Sequence, residues 1–420
     1  MLPVELILLI FELAAESFHP VDLSPTLRSC CLVSKAWRYL AQPILFATLP
    51  QYKKGHNGEA LLQTLTSEER FQRHIRHLWV TPEMFKYQGL LFKLLSQVRG
   101  LGLRQSGYSE LAHYPRAFHS ILTSASLTTL SLQALEDFPV QLFYNCAALQ
   151  ELHISNSTFE LSSPVIHEGV SGQDGAVVLR PHLRYLHLDL YQEEETPIMS
   201  WLQQPDSAFD LSQLHTFHIS SHSSRNKLQF QAISDFINHI ASSVEDLMVN
   251  VPRTFVPGVA QHDASYKAMS ANLSKLRVVR FRFMDTPNRR STLATLSTIS
   301  WIMDFLSNIP RPNLLEEIWV PALLPHRTVN EASVAIRKLY GSLDKILTGA
   351  AFASLRRVWL VYWEPSLSIP ARGDTRMKEL LPWLSGKGII SMRYPKYGRH
   401  VVTEVEDSLY GLLMRPLNQT

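Results

Sequence analysis

Leu127-Thr-Thr-Leu-Ser-Leu132, Leu149-Gln-Glu-Leu-His-Ile154 and Leu183-Arg-Tyr-Leu-His-Leu188 share one phrase, with large apolar residues at its first, fourth and sixth places. The last two of those places are two residues apart, the spacing of one face of a β-strand. The phrase recurs outward in both directions. Upstream lie Ile75-Arg-His-Leu-Trp-Val80 and Val98-Arg-Gly-Leu-Gly-Leu103; downstream lie copies beginning at Leu214, Val244, Leu276, Leu315 and Leu355, and a degenerate one at Ile389. Between them, residues 233–243, 293–309, 334–352 and 377–384 carry apolar residues three and four apart, the helical period. A strand followed by a helix, many times over, predicts an α/β repeat in which each copy covers its neighbour.

The phrase resembles the L-x-x-L-x-L of a leucine-rich repeat, which implies an irregular α/β solenoid, or horseshoe, over 73–420. Spacing departs from the family pattern: intervals run from about 22 residues after Leu127 to about 40 after Leu315, against a usual 20 to 29. The Asn or Cys of the ninth place is missing, with Leu135 and Ser157 standing there instead, so irregular curvature is expected. Residues 157–181, with Ser-Gly-Gln-Asp-Gly, and 252–262 read as loops. A parallel α/β domain without true repeats is the competing architecture.

Strand side chains alternate, so the odd places of each phrase face away from the core. At the fifth place this stripe contains Trp79, His153, His187, His218, Met248, Arg280, Trp319, Trp359 and Arg393; Arg282 stands at a seventh place and Arg357 at a third. Trp and Arg dominate interface hot spots, and guanidinium pairs suit carboxylate or phosphate. Arg280, Arg282, Trp319, Arg357, Trp359 and Arg393 are therefore the expected target-binding patch, for an acidic or phosphorylated segment. The alternative places Trp319 and Trp359 under a loop or the C-terminal tail. The three histidines are expected to be ordinary exposed side chains, because no carboxylate or thiolate with ligand spacing supports a metal.

The amino terminus differs. Pro3 and Glu5 suit the first turn of a helix, and Leu6-Ile-Leu-Leu-Ile-Phe11 covers its whole circumference with apolar side chains. A second apolar block runs from Leu27 through Val33, Trp37 and Leu40 to Pro43. A stretch of about fifty residues buries too little surface to stand alone, so this apolar excess must meet another protein or the rest of the chain.

Leu2-Pro3-x-Glu5-Leu6-x-x-x-Ile10-Phe11 with Leu27 and Val33-Ser-Lys-Ala-Trp37-Arg38-x-Leu40 resembles the F-box, in the version common among fungal proteins. The resemblance implies all-α helices over 1–48 that dock on the Skp adaptor of a cullin-RING ubiquitin ligase. By residue it places Leu2, Pro3, Leu6, Ile7, Ile10, Phe11, Leu27, Val33, Trp37 and Leu40 at or behind that interface. It further implies a non-catalytic receptor, with the repeat holding an unidentified protein target. Residues 18–26 form a longer loop than the family uses. Residues 49–72 complete the layout as a linker and capping helix. A plain leucine-rich scaffold capped by its first helices is the alternative reading.

Composition limits the remaining classes. Of 420 residues, 45% are hydrophobic and 18% charged, which describes a packed globular chain. A net charge of only +3 provides no global field for nucleic acid or an anionic membrane, so neither is an expected partner. Three cysteines, Cys30, Cys31 and Cys146, draw no disulfide framework and point to cytoplasm or nucleus. The apolar run lacks a preceding Lys or Arg and is flanked by Glu5 and Glu12, unlike a secretory signal. Gly169-Val-Ser-Gly and Gly386-Lys-Gly lack the spacing of a nucleophile elbow or a phosphate loop, and no cofactor or enzyme activity is expected.

Overall fold

The computed structural model describes residues 29–35, 37, 41, 48–49, 67, 75–80, 98–107, 119, 122–161, 180–191, 196–221, 227–250, 269–282, 292–322, 330–361, 375 and 377–393. The chain divides into two compact units, Met1–Pro181 with Arg399–Thr420, and His182–Gly398. The boundary falls inside the stretch of repeated phrases.

In the first unit the phrases become parallel strands in chain order: β1 (Thr48–Leu49), β2 (His77–Val80), β3 (Gly100–Gly107), β4 (Thr129–Glu136) and, beyond the short β5 (Phe138–Pro139), β6 (Glu151–Ser155). Register aligns the fourth places, Leu78 with Leu101, Leu101 with Leu130 and Leu130 with Leu152. The copies therefore stack without slippage. Ile75, Val98, Leu127 and Leu149, at the first places, are as buried as the fourth and sixth.

Residues after Ser157, expected to be loop, begin with a strand instead. β7 (Phe159–Glu160) pairs in parallel with β5, and Phe138, Phe143 and Phe159 pack at 5.4 to 6.3 Å beneath the pair. Ser157 supplies the turn-backbone bond expected of the ninth place of a leucine-rich-repeat phrase. Its buried hydroxyl donates to the Ser155 carbonyl at 2.9 Å and accepts the Leu135 N–H at 3.1 Å, joining one copy's turn to the next. A serine oxygen thus does what the missing Asn was expected to do.

The second unit continues the same scheme with helices between strands. Its order is β8 (Tyr185–Leu190), α1 (Pro197–Leu202), β9 (Thr216–Ser221), α2 (Lys227–Ile240), β10 (Asp246–Asn250), β11 (Val278–Arg282), α3 (Thr292–Asn308), β12 (Glu317–Pro321), α4 (Asn330–Thr348), β13 (Arg357–Val361), α5 (Pro382–Gly386) and β14 (Ile390–Arg393). Every described strand pair is parallel and follows chain order. Parallel neighbours need such crossovers, which the helices provide. Strand and helix meet through aromatic rings: Phe217 of β9 lies 5.1 Å from Phe236 of α2, and Phe281 of β11 lies 5.7 and 5.4 Å from Trp301 and Phe305 of α3.

α5 is short and held by a neighbour. Pro382 needs no partner for its nitrogen, and the next two N–H groups, of Trp383 and Leu384, donate to the carboxylate of Asp344 on α4 at 2.8 and 2.9 Å. Asp344 is fully buried, so this long-range cap replaces the local one the sequence lacks.

One register differs from the sequence reading. Val358 pairs with Ile390 and Val361 with Arg393, so the last phrase starts two residues earlier than Ile389 and Arg393 occupies a seventh place rather than a fifth. Register is a property of the partner strand's hydrogen bonds, and a degenerate phrase leaves it open by two residues without changing faces.

Candidate interaction site

Most of the F-box-like segment, including Leu2, Pro3, Leu6, Ile7, Ile10, Phe11, Leu27 and Leu40, lies outside the described residues. The part that is described is helical over 29–33, then turns at Ser34, whose hydroxyl accepts the Trp37 N–H at 3.2 Å. Val33 is 65% exposed and its neighbour Leu32 81% exposed, while Trp37 is half-buried. Two adjacent large aliphatic side chains in water are unusual on a packed surface.

The outward strand face of the second unit carries the other candidate. Strand register sets Tyr185, His187 and Asp189 on β8 beside Thr216, His218 and Ser220 on β9, then Asp246 and Met248 on β10, Arg280 on β11, Trp319 on β12 and Trp359 on β13. Adjacent strands are about 4.8 Å apart, so side chains at equal places touch. Here Tyr185, His187, His218, Asp246, Arg280, Trp319 and Trp359 form one connected chain.

At its centre, Arg280 donates to Asp246 Oδ1 at 2.6 Å and lies 3.1 Å from His218 Nε2. The other His218 ring nitrogen, Nδ1, lies 2.9 Å from the Tyr185 hydroxyl. Burial alone lifts the Asp246 carboxyl, but His218 and Arg280 outweigh it and hold the group below the usual carboxylate range. On its other side Arg280 lies 5.5 Å over the Trp319 ring. Trp319 and Trp359 then stack at 5.2 Å with a 35° tilt, and Arg357 closes the run 5.3 Å over Trp359. Glu317 accepts the Trp319 indole N–H and lies 4.0 Å from Arg357.

The structure thus gathers Arg280, Trp319, Arg357 and Trp359 from the expected patch. Arg282, one strand place beyond Arg280, is half-buried and bears on His187; the Arg393 side chain lies outside the described residues. The two tryptophans are half-buried. His153, His187 and His218 are buried, not exposed as their places suggested. Parity locates a face but does not reveal how deeply each part of it lies. Burial pushes the His187 imidazole down to about 3, with Asp189 acting the other way and His218 and Arg282 adding to the drop. His187 is therefore neutral at neutral pH. Among the described residues no group of His, Cys, Asp and Glu has the makings of a metal site.

Apart from Arg357, the third-place residues were the ones the sequence reading passed over. Tyr185, Asp246 and Glu317 share the face of the fifth places, and reading odd places three, five and seven together would have found them. A second unread pattern is a charge ladder at the second places, just before each strand. His215 lies 3.6 Å from Glu245, Glu245 4.0 Å from Arg277, Arg277 2.7 Å from Glu316 and Glu316 3.9 Å from Arg356. These exposed pairs are individually weak, yet all favour the observed register.

Together the repeated phrase, its parallel register and the interleaved helices define a leucine-rich-repeat-like α/β protein. No protein-family model matches the chain, and no curated sequence is significantly similar to it. Among solved structures it is similar to the leucine-rich repeat-containing protein LegL7 from Legionella pneumophila, with 15% identity over 82% of this chain and 94% of that one and a TM-score of 0.39. An internalin, InlF, from Listeria monocytogenes is similar at 13% identity over 81% of this chain and 94% of that one, with a TM-score of 0.28. The class rests on the chain's own register.

Proposed function

We propose that the chain is a non-catalytic interaction scaffold whose repeats hold a protein target, and that it serves as the substrate receptor of a Skp–cullin–F-box type ubiquitin ligase. The observation that carries the finer reading is the pair Leu32 and Val33, large aliphatic side chains left in water within the very segment whose residues resemble an adaptor-docking motif. An apolar surface that the chain does not cover is what an adaptor helix needs. The receptor acts by proximity: holding a target lysine near the ubiquitin-charged enzyme raises its local concentration, with no chemistry contributed by the receptor. Among the described residues no helix is long and apolar enough to cross a membrane. Cytoplasm or nucleus, where such ligases would meet it, is the proposed location.

Co-expression with a Skp adaptor and affinity purification tests this reading. The intact chain retains the adaptor, whereas Leu6→Asp, Ile10→Asp or Val33→Asp loses it. Equal retention by the intact chain and these variants sinks the ligase reading. Under the plain-scaffold alternative, deleting residues 1–48 collapses the repeats; under the receptor reading the remainder stays folded.

A further inference from the structure

The helical side of the second unit carries charge of its own. Along α4, Val334, Arg337, Lys338 and Lys345 are exposed and, with Gly341 among them, recur at helical spacing on one face. That face points away from the sheet, because Ile336, Tyr340, Leu343 and Leu347 of the same helix are buried. Beside the end of α4, the Lys387 ammonium donates to the Thr348 carbonyl at 3.4 Å, and Lys378 stands exposed just before α5. From Arg337 to Thr348 the helix axis runs about 16 Å.

These cations are uncommitted. None of Arg337, Lys338, Lys345, Lys378 and Lys387 has a carboxylate within ion-pair distance. Asp344 of the same helix is buried and spent on the backbone of α5. Asp304 on α3 and Glu379 beside Lys378 are the exposed carboxylates of the described helices around them. Even with Glu331 at the start of α4 added, positive charge is in excess.

Two further features belong to this face. Trp383 has its N–H fixed on Asp344, yet its side chain is 65% exposed, a rare state for so large an aromatic. Gly341 stands inside α4, where glycine weakens a helix, and a Cβ there would meet nothing within 4 Å. The chain's own packing does not call for the glycine. It keeps open a shelf between Arg337 and Lys345.

We propose that the α4–α5 face is a peripheral docking surface for an anionic lipid membrane, with the four lysines and Arg337 against the headgroups and Trp383 at their level. Separate point charges spread along a helix suit an extended field of anions; a single carboxylate or phosphate is better held by converging guanidinium forks. An indole among lysines matches the headgroup layer, where Trp is enriched and each nearby cation adds to the attraction. Single-stranded nucleic acid is the poorer fit, because it stacks successive bases on several aromatics along a groove. The whole-chain charge of +3 conceals this face by averaging it with distant residues. Binding here leaves the strand face free for a protein target.

The full chain is sedimented with vesicles of phosphatidylcholine and with vesicles of phosphatidylcholine mixed with phosphatidylserine, at low and high salt. It sediments with the mixed vesicles, is released as salt rises, and stays in solution with phosphatidylcholine alone. Lys338→Gln combined with Lys345→Gln weakens binding about tenfold or more. Arg184→Gln combined with Lys275→Gln removes the same charge from exposed positions elsewhere and leaves binding within about twofold. Gly341→Glu has room for its side chain and improves helix propensity, so it stays folded while weakening binding about tenfold. Trp383→Ala weakens binding at both salt concentrations. Circular dichroism and unfolding midpoints establish that the variants are folded. Equal sedimentation with both vesicle types, full binding by Gly341→Glu, or an equal loss in the Arg184 and Lys275 control overturns the proposal. So does binding of a DNA duplex or of polyglutamate where the mixed vesicles are not bound.

Discussion

Arg280 and Asp246 stand at different places of their phrases, yet adjacent strands bring them to 2.6 Å, with the same guanidinium lying over Trp319. The pair is part-buried, so removing one partner leaves the other's charge without compensation. Asp246→Ala is expected to cost on the order of 2–4 kcal/mol, and Asp246→Asn less, because the amide oxygen still accepts. Urea midpoints at constant m measure it. A cost below about 0.5 kcal/mol, the level of an exposed pair, contradicts this account.

A packing prediction follows from Trp79 and Gly102 on neighbouring strands β2 and β3. A Cβ built at Gly102 would lie 2.3 Å from Trp79 Cε3, so the ring occupies the space that any side chain there needs. Gly102→Ala should destabilise the first unit by about 1–3 kcal/mol as overpacking. The two sites are coupled: in a Trp79→Leu background the same substitution costs less, and a double-mutant cycle gives the interaction. Additive costs would show that the ring does not set the requirement.

Asp344 predicts a local effect on α5. Asp344→Ala removes both acceptors from the helix start and leaves the Trp383 and Leu384 N–H groups unsatisfied, at a cost of about 2 kcal/mol or more. Hydrogen exchange at Leu384 should accelerate first. Unchanged protection there argues that water or another group serves the helix equally well.

Acid should weaken the fold through two histidines, the buried His187 and the half-buried His77. His187 is held down to about 3 and His77 to about 4, in both cases by burial first, with Arg99 and Arg76 adding to it at His77. Unfolding exposes both rings to their ordinary value of 6.5, so between that value and the folded one the unfolded state binds the extra proton. Stability is therefore full above about pH 6.5 and falls on acidification, by about 2 kcal/mol for each ring at pH 5. His187→Gln should flatten the midpoint-versus-pH curve between pH 7 and 5. A slope unchanged by that substitution rules out the ring as its source.

Ser157 tests the ninth-place bond. Ser157→Ala strands the Leu135 N–H in a buried turn and should cost about 1–3 kcal/mol, whereas Ser157→Asn, the residue type of the leucine-rich-repeat phrase at this place, is tolerated only if the turn has room for it. Thermal midpoints of the two variants decide between hydroxyl chemistry and simple volume.

Much of the fold was legible. The phrases read from Ile75 to Leu355 each became a parallel strand, and α2, α3 and α4 fall on the stretches with helical spacing. Two-residue alternation and helical spacing are local properties, and each copy contains both. At Ile389 the phrase is too degenerate to set its own frame, and the frame came from hydrogen bonds to Val358 and its neighbours. The Trp319–Trp359 stack was legible because equal places on adjacent strands must meet.

What the letters determine by themselves is thus periodic: which side chains enter the core, which face away, and that the strands run parallel with helices between them. Tertiary structure alone decided the rest. Whether a face lies under cover, as at His187, or half-open, as at Trp359, depends on chain distant in sequence. So does the choice of partner where several charges lie within reach: Arg280 turned to Asp246, and Asp344 took up the α5 backbone. Burial and pairing are sums over neighbours in space, and a local pattern holds no record of them.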